Sequence, residues 1–225
     1  MNRPCLILCA FFTMQCFAAF CQSNERMQSA QPANVKPPSD KAMELNNDAN
    51  EHFSKKEYAL AITGYKQAIA VDSDYVDAYN NLGLALYESN SLDSAEHYLR
   101  TSLHYYPDGV TALQDLGLVE EKKRDLAKAS DCYKKITVLQ PDNPEGFYNS
   151  ARILTTLAKF DEALVQAQMA EKLYTKTNSP YTKDCHYMLL VIYFNTRNKP
   201  MAKQYLALCK KEGVPVQSAI ETGLQ

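Results

Sequence analysis

The sequence predicts an all-α fold in which similar helical hairpins stack into a solenoid. Two observations carry this prediction: one long sequence period recurs along the chain, and only 7 of the 225 residues are glycine. Glycine in a helix interior costs about 1 kcal/mol, so its scarcity favours helix. Apolar residues make up 46% of the chain, which is enough for a substantial core and too much for a disordered protein.

The period is a 34-residue spacing that several independent positions share. Two sets of small residues and one set of prolines repeat at this distance: Ala61, Ala95, Ala129 and Ala163; Ala49, Gly83, Gly117 and Ala151; Pro107 and Pro141. The spacing predicts two helices per unit, with small residues where the helices cross and proline where the second helix ends. The predicted units are residues 42–75, 76–109, 110–143, 144–177 and, after five inserted residues, 183–213. One hairpin cannot bury its apolar face alone, so neighbouring units share a core.

Residues 1–21 have the pattern of a secretory signal peptide. Arg3 precedes an apolar run, and Ala19 and Cys21 are small residues at the positions that precede a cleavage site. We therefore expect a cleaved signal and a secreted, periplasmic or cell-envelope location. A lipoprotein is the alternative: Cys21 would then carry the lipid, although Phe20 is larger than the residue usual before such a cysteine. Only lipidation at Cys21 would place the mature chain on a membrane.

The segments that flank the repeats are short. Residues 22–39 are rich in Pro, Ser and Gln without an apolar period, and they predict a disordered tether. Asp40 is expected to cap the first helix. Residues 214–225 are expected to form a tail or a short capping helix.

Three cysteines follow the tether, and their spacing fits no metal site. Cys185 and Cys209 lie near the start and the end of one predicted antiparallel hairpin, so a disulfide could join them outside the cytosol. Bridge geometry is demanding, and two isolated buried thiols are the preferred expectation. Cys132 has no nearby partner in the repeat pattern.

Two stretches carry a family resemblance: YNNLGLALYESNSLDSAEHYL at 79–99 and LQDLGLVEEKKRDLAKASDCYKK at 113–135. Both combine a large apolar residue, Leu-Gly, a small Ala and an aromatic residue, and both resemble tetratricopeptide repeats. The resemblance implies a right-handed superhelical solenoid of five such repeats, whose first helices line a concave groove. It also implies a scaffold that binds a protein or peptide partner in that groove.

The resemblance places the second, fifth, ninth, twelfth and thirteenth residues of each unit on the groove. The candidate binding residues are Asn50, Phe53, Asp77, Asn80, Leu84, Tyr87, Glu88, Leu118, Glu121, Tyr148, Arg152, Tyr187, Val191 and Phe194. This surface is apolar and aromatic with a mostly acidic edge. We therefore expect a partner with an apolar segment and basic flanks.

One binding mode of the family is not expected here. Some members hold an acidic C-terminus with a clamp of lysine, arginine and asparagine side chains. Asn50 and Asn81 match two clamp positions, but Asn46, Thr111 and Asp115 replace its basic residues. The charge-assisted hydrogen bonds that hold a carboxylate are therefore missing.

The sequence contains no recognisable set of catalytic residues. The 4 histidines are spread over different repeats, and no nucleophile or metal-protease motif occurs. We expect no catalytic residues, no metal and no cofactor. The net charge of −2 provides no basic surface for nucleic acid. The expected function is a non-enzymatic scaffold; the alternatives are a lipid-anchored outer-membrane assembly factor and an accessory domain of an enzyme complex.

Overall fold

The computed structural model describes residues 37–225, and in this range the chain forms eleven α-helices and no β-strand. The predicted all-α fold is confirmed. The helices belong to two compact units, residues 37–139 and residues 140–225. The predicted signal peptide, Cys21 and most of the predicted tether lie outside the described residues.

The first unit consists of three helical hairpins, one for each of the first three predicted repeats. Its helices are α1 (Asp40–Ser54), α2 (Tyr58–Val71), α3 (Val76–Glu88), α4 (Leu92–Tyr105), α5 (Val110–Lys122) and α6 (Leu126–Leu139).

The second unit consists of two hairpins and a short final helix. Its helices are α7 (Pro144–Thr156), α8 (Phe160–Lys176), α9 (Thr182–Asn195), α10 (Lys199–Lys211) and α11 (Ser218–Gly223). Helix α8 has 17 residues, against 14 in the second helices α2, α4 and α6 and 13 in α10. The five inserted residues of the sequence follow α8, where the chain turns into the last repeat.

The first helix begins at Asp40, one residue earlier than the sequence predicted, because Asp40 is helical and does not act as the cap. Ser39 is the N-cap: its side-chain oxygen accepts a hydrogen bond from the Ala42 backbone N–H at 3.3 Å. The Ser39 N–H in turn donates to the Asp72 carboxylate at 2.5 Å. The expected cap at Asp40 is therefore wrong by one position, and Asp40 instead places its charge in the first turn, where the helix dipole favours it.

The turn inside each hairpin uses a left-handed backbone conformation without glycine. Lys56, Asn90, Arg124 and Ala158 have φ between 57° and 66°, and they recur at the same spacing as the repeats. At each turn the left-handed residue and the next one donate backbone hydrogen bonds to the last turn of the first helix; after α7 the accepting carbonyls are those of Thr155 and Leu154. This pattern closes a helix C-terminus and reverses the chain.

The two helices of a hairpin approach each other most closely where a small residue faces a large one. A β-carbon added to Gly83 would lie 2.5 Å from Leu99 Cγ, and one added to Gly117 would lie 2.7 Å from Tyr133 Cζ. Ala95 in the second helix is fully buried, as are its equivalents in the other repeats. The helices of each hairpin therefore cross at the small residues that the 34-residue spacing identified.

The final helix closes the apolar core of the second unit. Ile220 and Leu224 are buried in the same cluster as Leu189, Ile192 and Cys209. Residues 214–225 thus contain a short capping helix, which covers apolar surface that a further repeat would otherwise cover.

The left-handed turns generate a prediction about stability. Ala158→Gly should stabilise the protein by about 0.5–1 kcal/mol, because an alanine in this conformation carries a steric cost that glycine lacks. Asn90→Gly should change stability less, since asparagine tolerates the conformation. Ala207→Gly, at an exposed site in the interior of α10, should destabilise by a similar amount. Urea unfolding of the three variants measures these shifts; equal destabilisation by all three would contradict the turn geometry.

Candidate protein-binding surface

In the first unit, the first helices of the three hairpins lie on the inner side. Helix α3 contacts both α1 and α5, whereas the second helices α2, α4 and α6 make no comparable contact with one another. The first helices therefore crowd together and the second helices spread apart. In the second unit α7 and α9, the two first helices, are also in contact.

Asparagine side chains form a hydrogen-bonded cluster on the inner side of the first unit. The Asn81 amide donates to Asn46 Oδ1 at 3.1 Å and to Asn50 Oδ1 at 3.4 Å. The hydroxyl of Tyr65, a buried residue of α2, donates to the same Asn50 oxygen at 2.7 Å. The side chain of Asn50 is exposed, so the cluster presents an ordered amide to solvent.

Aromatic and charged side chains lie on the neighbouring stretch of this face. Lys122 Nζ lies 4.5 Å from the centroid of the Tyr87 ring and donates to the Tyr87 carbonyl at 3.3 Å. The Tyr133 hydroxyl reaches through from α6 and donates to Glu121 Oε1 at 2.6 Å. Leu118 lies one turn before Glu121 and is half-buried. Tyr87 and Leu118 therefore offer apolar area beside an oriented carboxylate.

Four of the predicted binding residues are buried. Asn80 and Leu84 are 4% and 7% exposed, because α3 packs between α1 and α5. Tyr187 and Val191 are 7% and 1% exposed and belong to the apolar core that α11 completes. These four side chains support the fold and present almost no area to a partner.

The remaining predicted residues keep accessible side chains. In the first unit these residues, which we call the groove face, are Asn50, Phe53, Asp77, Tyr87, Glu88, Leu118 and Glu121. In the second unit Tyr148, Arg152 and Phe194 are half-buried. Phe194 lies against the final helix, since a β-carbon on Gly223 would be 2.8 Å from its ring.

Sequence reasoning missed the contributions of Tyr65 and Tyr133. Both occupy the same position of the second helix, in the first and the third repeat, and both are at most 1% exposed. A buried tyrosine hydroxyl normally requires a hydrogen-bond partner, and here the partners are on the groove face. The repeated tyrosine was visible in the sequence, but its direction toward the first helix was not.

The one fully buried carboxylate among the described residues belongs to Glu120, on α5. Arg100 of α4 donates to it at 2.7 Å and also to Glu96 at 2.8 Å. Burial raises the pKa of the Glu120 carboxyl, and the nearby Glu96 adds to that increase. Hydrogen bonding from Lys123 lowers the pKa of Glu96 to about 2. No solvent reaches Glu120, so this network joins the second and third repeats and does not offer a site for acid–base chemistry.

His186 is part of a second polar cluster, in the second unit. Its Nδ1 lies 2.9 Å from Glu212 and its Nε2 lies 3.3 Å from Glu171, while the Tyr205 hydroxyl donates to Glu171 at 3.1 Å. Two carboxylates therefore face the His186 ring. The two ring nitrogens hold carboxylates from α8 and from the end of α10, so the imidazole links helices.

The three cysteines of the repeats are free and buried. Cys209 lies in the core cluster of the second unit, while Cys185 packs with Ala170 and Tyr174 in a separate apolar cluster. The structure places the two thiols unbridged in separate apolar clusters, and the disulfide that the sequence left open stays a prediction to be tested. Burial raises the pKa of the Cys132 thiol to about 11 and that of Cys209 to about 12.

Within residues 37–225, no helix has the length and apolarity needed to cross a bilayer. In the same range, no three histidine, cysteine or acidic side chains are grouped so that they could hold a metal ion.

Two protein-family models match the repeats. A family model described as "TPR repeat" matches residues 49–90, and a second, described as "Tetratricopeptide repeat", matches residues 87–144. The chain is a tetratricopeptide-repeat protein. The matched residues contain both stretches on which the sequence resemblance rested.

Similar proteins extend this result over most of the chain. The anaphase-promoting complex subunit 3 of Schizosaccharomyces pombe is 23% identical over 71% of this chain and 23% of its own length. The uncharacterized protein ycf37 of Pyropia yezoensis is 32% identical over 42% of this chain and 56% of its own. The chain thus spans between about a quarter and about half of the length of these two relatives.

Solved structures share the fold. MamA from Desulfovibrio magneticus RS-1 has a TM-score of 0.70 at 15% identity, over 79% of this chain and 97% of its own. YrrB, described as "a TPR protein with an unusual peptide-binding site", has a TM-score of 0.65 at 22% identity, over 76% and 86%. These likenesses show a repeat solenoid.

The cysteine environments generate a prediction about reactivity. At a pH of about 8 a thiol reagent should label the folded protein slowly, because burial keeps the Cys132 and Cys209 thiols protonated. Unfolding in denaturant should release all three repeat thiols without a reductant. Two fewer thiols in the unreduced unfolded protein would show that Cys185 and Cys209 are bridged. Because the two raised pKa values lie above that of an unfolded cysteine, their contribution to stability is constant below a pH of about 8.5 and declines at higher pH.

Proposed function

We propose that this protein is a non-enzymatic scaffold whose groove face binds an extended segment of another protein. The observation that carries the proposal is the composition of the groove face, which combines the half-buried side chains of Phe53, Tyr87 and Leu118 with the exposed, hydrogen-bonded amide of Asn50. Aromatic anchors carry much of the binding energy in protein interfaces. The Asn50 oxygen already accepts from Tyr65 and Asn81, so the N–H groups of this amide are the part that can donate to a carbonyl of a peptide backbone. The likeness to YrrB supports a peptide as the ligand.

The charge of the groove face favours a partner with basic residues. Asp77, Glu88 and Glu121 provide three carboxylates, and Lys122 is the neighbouring cation. Lys122 already lies over the Tyr87 ring at 4.5 Å, so this ring is placed to receive a cation. A lysine or arginine of the partner would take a similar position, and the carboxylates of the groove face would favour its approach.

We further propose that the protein works outside the cytoplasm, in the periplasm, the cell envelope or the exterior. The support for this location is the signal-peptide pattern of residues 1–21. A lipid-anchored assembly factor of the outer membrane is the alternative, in which Cys21 carries the lipid. Metabolic labelling with a fatty acid, with Cys21→Ser as the control, separates the two: label that depends on Cys21 would establish the lipoprotein.

Two polar clusters among the described residues support the non-enzymatic assignment. Glu120 is fully buried beside Arg100, and both nitrogens of His186 face carboxylates. In both clusters the charged and polar groups are already paired with partners within the chain. The alternative of an accessory domain in an enzyme complex requires the same partner-binding surface and differs only in the identity of the partner.

Substitutions on the groove face test the proposed binding. Against a library of extended peptides, the wild-type protein should select apolar segments flanked by lysine or arginine. Tyr87→Ala should weaken binding of the selected peptide by about 2 kcal/mol or more, as expected for an aromatic hot spot. Tyr105→Ala removes an equally large side chain from the second helix α4 and is the matched control. Fluorescence anisotropy measures both affinities, and equal affinities for the two variants would place the binding site elsewhere.

The acidic residues should act mainly on the association rate. Glu88→Gln should slow association at low salt and change affinity little at an ionic strength of about 0.5 M, because exposed charges are then screened. Stopped-flow measurements at the two salt concentrations would show this difference for a peptide with basic flanks.

A further inference from the structure

The first helix and the last long helix carry opposite charges on their exposed faces. Helix α1 contains four acidic residues and one lysine, and helix α10 contains four lysines and no acidic residue. The acidic residues on the outer face of α1 include Asp40, Glu44 and Glu51, all of them exposed. Helix α10 exposes Lys199, Lys203 and Lys210.

The two sets of charges have identical spacing. Asp40, Glu44 and Glu51 occupy positions i, i+4 and i+11 of α1, and the lysines Lys199, Lys203 and Lys210 occupy positions i, i+4 and i+11 of α10. At 100° per residue, each set falls within about 40° around its helix axis, so each forms a straight stripe about 16 Å long. In a parallel register, each carboxylate of α1 would face one ammonium group of α10.

Two of these charges already have partners within the chain. Glu44 lies 2.9 Å from Lys41, and Lys210 lies 2.8 Å from Glu221. All four side chains of these pairs are exposed, so each pair contributes little stability and can exchange its partner at little cost. The intramolecular pairs therefore leave both stripes free to meet an opposite charge.

Apolar surface lies within and beside both stripes. An open depression of about 370 Å³ lies along α10, and its lining includes Leu206, Ala207 and Leu224 between Lys203 and Lys210. On α1, Met43 is 37% exposed and lies beside Glu44. A helix that placed a methionine in this depression would bury apolar surface, and ion pairs with the lysines of α10 would lie beside it.

We infer that the protein associates with itself head to tail, with α1 of one copy packed against α10 and α11 of the next. The occupant is fixed by charge complementarity: the basic stripe requires acidic side chains at i, i+4 and i+11 of a helix, and α1 carries them. The two surfaces differ, so the contact is heterologous and generates a ring or an open chain of copies. The groove face takes no part in this contact, and the inference does not depend on the proposed function.

Two charge reversals and their mixture test the inference. The purified protein should show a weight-average mass that rises between about 1 and about 200 µM, as expected for reversible self-association. Glu44→Lys alone and Lys203→Glu alone should each shift this rise to concentrations at least about tenfold higher, because like charges then face each other. Lys66→Glu, an exposed reversal on α2, is the matched control and should leave the rise unchanged.

An equimolar mixture of the two reversal variants should restore the association. Each contact in an alternating chain then pairs opposite charges: the reversed α1 meets the reversed α10, and the two unaltered surfaces meet each other. Sedimentation velocity of the single variants, the mixture and the control measures these outcomes, while circular dichroism checks that each variant is folded. A wild-type protein that stays monomeric, a mass unaffected by either reversal, or a mixture that fails to associate would overturn the inference.

Discussion

The close approach of the two helices in each hairpin is the constraint on which the rest of the structure depends. Gly117 allows the ring of Tyr133 to lie against the backbone of α5. In the same way, Gly83 allows the side chain of Leu99, a residue of α4, to lie against the backbone of α3. A hairpin held this tightly presents one flat apolar side to its neighbour, so consecutive hairpins can stack. The constraint also reaches the binding surface: once the Tyr133 ring is fixed, its hydroxyl extends past α5 and orients Glu121.

Polar contacts then reinforce the stacking between repeats. Arg100 of the second repeat reaches the buried Glu120 of the third, and His186 of the fifth faces Glu171 of the fourth. Buried charges are costly unless they are paired, so a shifted register between these repeats would leave a carboxylate without its partner. The apolar core holds neighbouring hairpins together, and these pairs favour one alignment of the hairpins over others. This division explains why polar side chains are found at the repeat boundaries and small apolar ones at the helix crossings.

The sequence predicted the features that depend on packing within one repeat. It did not predict the features that depend on contacts between segments far apart in the chain. The regular spacing of Ala95 and its equivalents was sufficient to locate the hairpins, because each small residue is required by local packing. The left-handed turns at Lys56 and Ala158 gave no such indication, since glycine, the usual sign of this conformation, is absent there. Tyr187 and Val191 are buried in a core to which four other helices contribute, α7, α8, α10 and α11. The position of a residue in the repeat predicts the direction of its side chain. Whether that side chain is exposed or buried depends on tertiary contacts.

The groove face and the two charged stripes differ in the physics by which they can bind. On the groove face, Tyr87 and Leu118 are half-buried and already ordered, so a ligand loses little side-chain entropy and gains mainly from apolar contact. Such contact determines how slowly a complex dissociates and responds weakly to salt. The stripes on α1 and α10 consist of long, exposed charged side chains, which must be ordered on contact and which salt screens. Ionic strength therefore acts on the two surfaces separately: at low salt copies can link through their stripes while the groove faces remain free, and at high salt single copies retain the apolar part of the groove.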